Sequence, residues 1–280
     1  MNALTIDVED WYHDAAGFGL EPPPSPEARV DRNLRRLLDL LEKARTRATL
    51  FVLGEVAERF PALVRDAAAR GHEIASHGHE HRPLGSYLRR EFREDVRRSI
   101  GVLTDIVGAP VVGYRAPYFS IKAGVRWPTE VLAGEGLRYD SSILPIDRPP
   151  GLELVTPRIP YRLADGLWEV PIAVHRWVFW NLPFFGGFSL RALPEAFLLR
   201  RLDEFNRDCG PAVVHLHPWE IDSAGPEVER TSATVRAFKR YGRGGLEARL
   251  QRLLAVRPFG SIGEAFPDVA GAAVSPIPRA

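Results

Sequence analysis

Short apolar runs alternate with helical patterns along most of this chain of 280 residues. Leu4 to Ile6, Ala48 to Leu53 and His72 to Ser76 each read as a buried strand, and a helical pattern separates each from the next. In the segment that starts at Asp31, leucines recur every three or four residues, which is the period of an amphipathic helix. Strands and helices that alternate over short connections favour a parallel sheet or barrel.

The same alternation continues towards the C-terminus. Helices are expected from Val56 to Ala67, from Ser86 to Gly108 and from Ala192 to Asn206, and a strand is expected from Ala212 to His217. The pattern predicts repeated strand–helix units in one α/β fold.

Length and composition suit one large domain. Apolar residues make up 45% of the chain, which is ordinary for a globular protein with a sizeable core. We predict a single domain over residues 1–268, with 218–268 as its C-terminal part, since α/β barrels reach this length without splitting. Residues 269–280 are rich in Ala, Gly and Pro and are expected to form a flexible tail.

Charge and cysteine content exclude several classes of protein. The formal net charge is +1, from 37 basic and 36 acidic residues, so no nucleic acid partner is expected. No apolar run reaches the ~18 residues of a transmembrane helix, and the N-terminus lacks the basic segment of a secretion signal. Cys209 is the single cysteine, so no disulfide can form within the chain, and a cytoplasmic location is expected. The sequence does not fix an oligomeric state.

Polar side chains stand at the ends of several predicted strands. Asp7, His77, Arg115, Asp140 and His217 each directly follow a strand pattern or lie late in one. In parallel α/β folds, side chains at the carboxyl ends of the strands converge on one face. We therefore expect these residues to contribute to one site.

Two histidines and an acidic stretch predict a site for a divalent metal. His77 and His81 are separated by three residues, so a turn can bring both imidazoles within reach of one ion. The stretch from Asp7 to Asp10 follows a buried strand, where neighbouring carboxylates are costly unless a cation neutralises them. Asp7 and Glu9 fall on the same face of a strand, so we prefer Glu9 as the ligand and keep Asp10 as the alternative.

Metal-assisted hydrolysis requires a divalent metal and, beside it, a carboxylate that does not bind the metal. One acid can bind the metal while another takes a proton from water. His217, at the end of its predicted strand, is the candidate general acid. Arg115 can orient a carboxylate through a bidentate pair.

In order and spacing, these motifs resemble those of the polysaccharide deacetylases of carbohydrate esterase family 4, the NodB-homology group. Thr5 to Asp10 is similar to the family's first motif, His77 to His81 to the second, and Arg115 to Tyr118 to the third. Asp140 lies where the fourth motif contributes an acid, and Leu216-His217 resembles the fifth. The likeness covers nearly the whole chain.

The resemblance implies a distorted (β/α) barrel with about seven parallel strands. It also implies metal-dependent hydrolysis, most often with zinc, that removes the acetyl group from an N-acetylhexosamine unit of a glycan. The roles that it implies are Asp7 as general base, Glu9 or Asp10 with His77 and His81 as metal ligands, His217 as general acid, Arg115 as the partner of Asp7, and the backbone N–H of Tyr118 as a donor to the oxyanion.

The segment from His217 to Asp222 resembles a subgroup associated with exosortase and exopolysaccharide loci, which implies an exopolysaccharide substrate and a place near the inner membrane. Trp11 and Trp219, together with Asp140, are expected to bind the sugar.

Two alternatives remain open. One is an amidohydrolase that acts on a cyclic imide, a ureide or another non-sugar amide, since the family's usual Asp-Asp is Asp-Val-Glu-Asp here. Relatives with altered first motifs lose the metal and open cyclic amides or ureides. The other alternative is a non-catalytic member that binds glycans.

Overall fold

The computed structural model describes residues 1–13, 25–146, 156–177, 180–226 and 232–271. Its strands are β1 (Asn2–Val8), β2 (Thr49–Val52), β3 (Glu73–Ser76), β4 (Gly113–Tyr114), β5 (Tyr139–Asp140), β6 (Tyr161–Arg162), β7 (Trp168–Glu169), β8 (His175–Trp177), β9 (Trp180–Leu182), β10 (Val213–Leu216) and β11 (Phe259–Gly260).

Its helices are α1 (Val30–Lys43), α2 (Gly54–Arg59), α3 (Pro61–Ala69), α4 (Arg89–Val107), α5 (Trp127–Gly134), α6 (Gly187–Ala192), α7 (Glu195–Cys209), α8 (Ala233–Arg240), α9 (Arg243–Val256), α10 (Ile262–Ala265) and α11 (Pro267–Ala270). Short 3₁₀ turns include Pro117–Phe119 and Pro218–Ile221.

One large sheet organises the fold. Its strand order is β10-β1-β2-β3-β4-β5-β7-β6, with β11 paired to β1. The run from β10 to β7 in this order is parallel throughout, and β6 is antiparallel to β7. This run, β10, β1, β2, β3, β4, β5 and β7, confirms the expected α/β architecture of about seven parallel strands. Because β1 pairs with β10 and β11 as well as with β2, strands from both ends of the chain lie side by side in the sheet.

The sheet curls into a half-barrel. The backbone N–H of Ala173, just after β7, donates to the carbonyl of Val213 in β10 at 2.9 Å, so the two sides of the sheet approach each other. Alternation along the strands then separates an outer core, under the helices, from an inner core. The inner core consists of Ala3, Phe51, Ala75, Tyr139, Val170, Ile172, Val213, Ile262 and Val269.

Several element boundaries differ from the sequence-based expectation. The helix predicted from Val56 to Ala67 is two helices, because Pro61 starts α3 and cannot continue the hydrogen bonds of α2. The helix predicted from Ser86 begins at Arg89. The tail predicted from Val269 begins too early, since Val269 is 4% exposed and lies in α11. The remaining tail residues, 272–280, lie outside the described residues.

Among the residues that the structure describes, no helix combines the length and the apolar character needed to cross a membrane.

Candidate active site

The pleat of the sheet places the polar strand ends inside the curl. In β1, Leu4 and Ile6 pack outward under the helices, so Thr5 and Asp7 face inward. His77 follows β3 and Arg115 follows β4, and both are almost completely buried. Parallel strands therefore bring these residues, far apart in the sequence, to one end of the sheet.

Asp7 and Arg115 form a buried ion pair. Arg115 Nη1 donates to Asp7 Oδ1 at 2.6 Å, and the two side chains are 0% and 2% exposed. The guanidinium is fixed by Thr5 Oγ1 at 2.9 Å and by the hydroxyl and carbonyl oxygens of Ser141. Burial by itself raises the pKa of Asp7, but Arg115 and the neighbouring histidines bring it below its ordinary value. Asp7 is thus held as a carboxylate in a fixed orientation.

Glu9, His77 and His81 form a group that can hold a metal ion. One ligand atom from each of these residues lies within 4.8 Å of the others. Glu9 Oε2 is 2.5 Å from His81 Nε2 and 3.9 Å from His77 Nε2. Burial lowers the pKa of His77 to about 4, which keeps its imidazole neutral, as a metal ligand must be.

The Nδ1 atoms of His77 and His81 are hydrogen-bonded to backbone carbonyls, as is usual for the non-ligating nitrogen of a metal-binding histidine. His77 Nδ1 lies 2.8 Å from the carbonyl of Arg115, and His81 Nδ1 lies 3.0 Å from the carbonyl of His13. A carbonyl accepts only from N–H, so each Nδ1 carries a proton and each Nε2 is directed to Glu9, where a bound metal would take its lone pair. This donor set, one carboxylate and two imidazoles, fits zinc with further coordination positions for water or substrate.

Tyr118 joins the third motif to this group. Its hydroxyl donates to the carbonyl of His13 at 2.7 Å, and its ring lies 4.6 Å from that of His81. Tyr118 and Phe119 both have positive φ values, 57° and 50°. Such backbone is uncommon outside glycine and concentrates at functional sites.

His217 stands at the far side of the site, after β10. Its Nε2 is 3.9 Å from Asp7 Oδ2 and 3.7 Å from Glu9 Oε1. Its Nδ1 lies 3.2 Å from Glu220, which also accepts from Arg191 Nε at 3.0 Å. Burial lowers the pKa of His217, but the hydrogen bond to Glu220 and the other two carboxylates outweigh it and raise the pKa to about 10. His217 therefore carries a proton that it can donate.

Asp10, the alternative metal ligand in the sequence analysis, binds backbone N–H groups in the structure. Its carboxylate accepts backbone N–H groups from Trp11, Arg29 and Val30 at 2.9, 2.6 and 3.0 Å. These contacts satisfy the first N–H groups of α1 and turn the carboxylate away from the histidines. Glu9, rather than Asp10, lies with His77 and His81 in this structure.

Neither tryptophan predicted to bind sugar offers an open ring face. Trp11 and Trp219 are each 6% exposed and lie in one small cluster with Tyr12. The indole N–H of Trp11 donates to the carbonyl of Glu27, and that of Trp219 donates to Glu9. Stacking on a sugar requires an exposed ring, so the expectation for these two residues is not supported by their placement.

Asp140 also lies behind the site instead of lining it. It is fully buried, and its carboxyl group accepts from the hydroxyl of Ser142 and lies beside the carboxyl group of Glu169. Ser142 in turn accepts the N–H of Ala116 at 2.7 Å. This placement does not support the expected sugar contact, and it connects Asp140 through Ser142 to the turn that carries Tyr118.

The Asp140–Glu169 pair predicts a pH dependence of stability. Burial raises the pKa of Asp140 to about 7, so the folded state binds this proton more tightly than the unfolded chain, whose Asp titrates near about 3.9. The stability from this proton is complete below about pH 4 and is lost as the pH rises towards 7. We expect Asp140→Asn to flatten the fall of the unfolding free energy over this range, measured by urea denaturation. Asp105→Asn, an exposed carboxylate on α4, is the control and should keep the wild-type slope, whereas equal slopes in all three proteins would contradict the prediction.

Three residues of this arrangement were not predicted from the sequence. His13 supplies its carbonyl to His81 and Tyr118, a contact that leaves no trace in a sequence pattern. Glu220 follows His217 by three residues and closes a capping turn, a spacing that can be searched for. Arg191 reaches Glu220 from α6, and only the packing of that helix reveals it.

Two families match this chain in sequence. Residues 24–133 match the polysaccharide deacetylase family, and residues 141–267 match a domain of unknown function (DUF3473). The large sheet runs through both regions, since β2, β3 and β4 lie in the first and β7 and β10 in the second.

Several characterised deacetylases are similar over part of the chain. A peptidoglycan deacetylase from Helicobacter pylori is 30% identical over 179 residues, which cover 61% of this chain and 59% of the relative. A peptidoglycan-N-acetylglucosamine deacetylase from Bacillus cereus is 33% identical over 34% of this chain and 35% of its own length. A chitooligosaccharide deacetylase from Sinorhizobium fredii is 36% identical over 29% of this chain and 39% of its own length. The matches thus span between about a third and three fifths of these relatives.

Solved structures share the fold at low sequence identity. A polysaccharide deacetylase structure from Mycobacterium smegmatis superposes with a TM-score of 0.62 at 23% identity, over 99% of this chain and 92% of that one. A family 4 carbohydrate esterase from Streptomyces lividans gives a TM-score of 0.50 at 15% identity, over 93% and 90% of the two chains. Residues 24–133 are thus similar in sequence to the polysaccharide deacetylase family, and the whole chain shares its fold with the solved polysaccharide deacetylase and carbohydrate esterase family 4 structures.

Proposed function

We propose that this protein is a metal-dependent deacetylase that hydrolyses the N-acetyl group of an N-acetylhexosamine unit in an exopolysaccharide or related glycan, releasing acetate. One observation carries the proposal: a metal-binding group, a carboxylate and a protonated imidazole meet at one end of the sheet. The relatives named for peptidoglycan and chitooligosaccharide substrates support an N-acetylated sugar.

Glu9, His77 and His81 would hold the divalent ion, for which zinc is our choice. When bound, such an ion lowers the pKa of water and polarises a carbonyl oxygen. We do not include Asp10 among the ligands, because backbone N–H groups occupy its carboxylate.

Asp7 is the proposed general base. Its Oδ1 is occupied by Arg115, and its Oδ2 faces the side of His217. The ion pair keeps the carboxylate ionised and holds it in one orientation, so that Asp7 can take the proton of the attacking water. Arg115 acts on the reaction only through Asp7.

His217 is the proposed general acid, and Tyr118 the proposed oxyanion donor. The Nδ1–H of His217 donates to Glu220, and the proton on Nε2, which faces Asp7 and Glu9, would pass to the departing amine as the amide bond breaks. The backbone N–H of Tyr118, on the strained turn beside His81, would stabilise the negative charge on the former carbonyl oxygen.

Release of acetate tests this function directly. Zinc-loaded protein is incubated with chitin oligomers, with peptidoglycan and with an N-acetylated exopolysaccharide, and acetate is quantified enzymatically. We expect acetate release that stops when zinc is removed by a chelator and returns when zinc is added. Opening of a cyclic ureide without acetate release would instead assign the protein to the amide-opening class. Glycan binding that survives in Asp7→Asn without zinc, together with no turnover, would assign a binding role.

A further inference from the structure

The two carboxylate oxygens of Glu9 face different neighbours. Oε2 is directed to the Nε2 atoms of His77 and His81, at 3.9 and 2.5 Å. Oε1 accepts the indole N–H of Trp219 at 3.2 Å and lies 3.7 Å from His217 Nε2. One oxygen therefore belongs to the metal-binding group and the other to the turn that follows β10.

The surroundings of Trp219 give its N–H a fixed direction. The ring of His217 stacks on the indole with centroids 5.2 Å apart and an interplanar angle of 20°. The guanidinium of Arg243 and the ammonium of Lys239 lie 5.1 and 5.5 Å from the ring centroid. Because the side chain is only 6% exposed, water does not readily replace this donor at Glu9.

We infer that Trp219 is a positioning residue for the metal ligand Glu9: its indole N–H holds Oε1 so that Oε2 stays directed at His77 and His81. The inference rests on the proposed metal site. An outer partner that orients a ligand before the metal arrives typically contributes about 10–100-fold to metal affinity. Without the indole donor, the buried Oε1 would lose its hydrogen bond and the carboxylate could turn.

Trp219 connects the region matched by the domain of unknown function to the metal-binding group. Trp219 lies within residues 141–267, whereas all members of the metal-binding group lie before residue 82. The C-terminal half of the sheet would thus set the metal affinity of a site whose ligands come from the N-terminal half.

Trp11 provides a matched control. It belongs to the same cluster as Trp219, has the same exposure of 6%, and donates its indole N–H to the carbonyl of Glu27 at 3.0 Å. Replacement by phenylalanine removes an N–H and keeps an aromatic ring in both cases. Only at position 219 does the lost donor contact a metal ligand.

The test measures zinc affinity, by competition with a chromophoric chelator, for wild type, Trp219→Phe and Trp11→Phe, with urea unfolding of each metal-free protein. We expect Trp219→Phe to weaken zinc binding about 10–100-fold and Trp11→Phe to bind as the wild type does. Unchanged affinity in Trp219→Phe, or an equal loss in both variants, would overturn the inference. A wild type that does not bind zinc would overturn the proposed metal site instead.

A second measurement uses the wild-type chain and remains available if Trp219→Phe does not fold. The indole N–H resonance of Trp219 is identified in ¹⁵N-labelled protein by its NOE to the stacked ring of His217. Zinc should shift this resonance more than that of Trp11. A metal ion bound by Glu9 withdraws negative charge from Oε1, the oxygen that accepts the indole N–H of Trp219. A shift no larger than that of Trp11 would contradict the inference.

Discussion

Replacement of Asp7 by asparagine is expected to reduce the rate of acetate release by about 10²–10⁴-fold, the contribution usual for a positioned base. Asparagine has nearly the same shape but cannot take a proton from water. Zinc should remain bound, since Asp7 is not among Glu9, His77 and His81. The measurements are turnover of an N-acetylated glycan and zinc content per chain.

Stability has to be followed in the same experiment. Arg115 is 0% exposed and would lose its ionic partner, so Asp7→Asn should also unfold more easily. The rate is therefore expressed per folded, zinc-loaded molecule, determined by circular dichroism and metal analysis. A rate near that of the wild type in such molecules would remove Asp7 from the mechanism.

Asp10→Asn is the matched control for this prediction. It makes the same chemical change three residues away, at a carboxylate that accepts the N–H groups of Arg29 and Val30. We expect a loss of about 1 kcal/mol in the free energy of unfolding, because both carboxylate oxygens accept N–H groups and an amide keeps only one acceptor oxygen, with turnover and zinc content retained. Loss of zinc in Asp10→Asn would instead return Asp10 to the ligand set.

The double replacement His77→Ala/His81→Ala is expected to abolish both zinc binding and turnover. It removes two of the three donors, and Glu9 alone does not form a zinc site. The wild type should bind about one zinc per chain and gain about 2.7 kcal/mol of stability at a zinc concentration 100 times Kd, whereas the variant should gain none. Metal analysis and thermal denaturation with and without zinc measure both effects.

His79→Ala separates metal binding from a general effect on this loop. His79 lies between the two ligands in sequence, but its Nε2 is 3.8 Å from Glu58 and its ring packs against Gly54. We expect this variant to keep its zinc and its stabilisation by zinc. Equal zinc loss in His79→Ala, or full zinc binding by the double variant, would place the metal elsewhere.

The region matched by the domain of unknown function forms part of the half-barrel that carries the proposed active site. It contains β10, which pairs with β1 next to Asp7, and it supplies His217, Glu220 and Trp219. The general acid and its supporting contacts would then come from one matched region, and the base and metal ligands from the other part of the chain.

Local periodicity was enough to predict the alternating strands and helices, the inward positions of Asp7 and His217, and the pairing of His77 with His81. These features depend on neighbours in the sequence or on the rule that parallel strands end at one edge. Periodicity alone did not locate every helix boundary. It predicted one helix from Val56 to Ala67, whereas Pro61 ends the hydrogen bonding of α2 and starts α3.

Only the tertiary structure places Glu9, and not Asp10, beside His77 and His81, and only it shows that Trp219 and Asp140 are buried against other side chains. Asp10 is held by N–H groups of residues that follow it by 19 and 20 positions, and Trp219 reaches Glu9 across 210 positions. A carboxylate or an indole has the same sequence signature whether its partner is a metal, a helix end or a sugar. The partner is set by which distant segments the curled sheet brings within hydrogen-bond distance, and no local pattern encodes that distance.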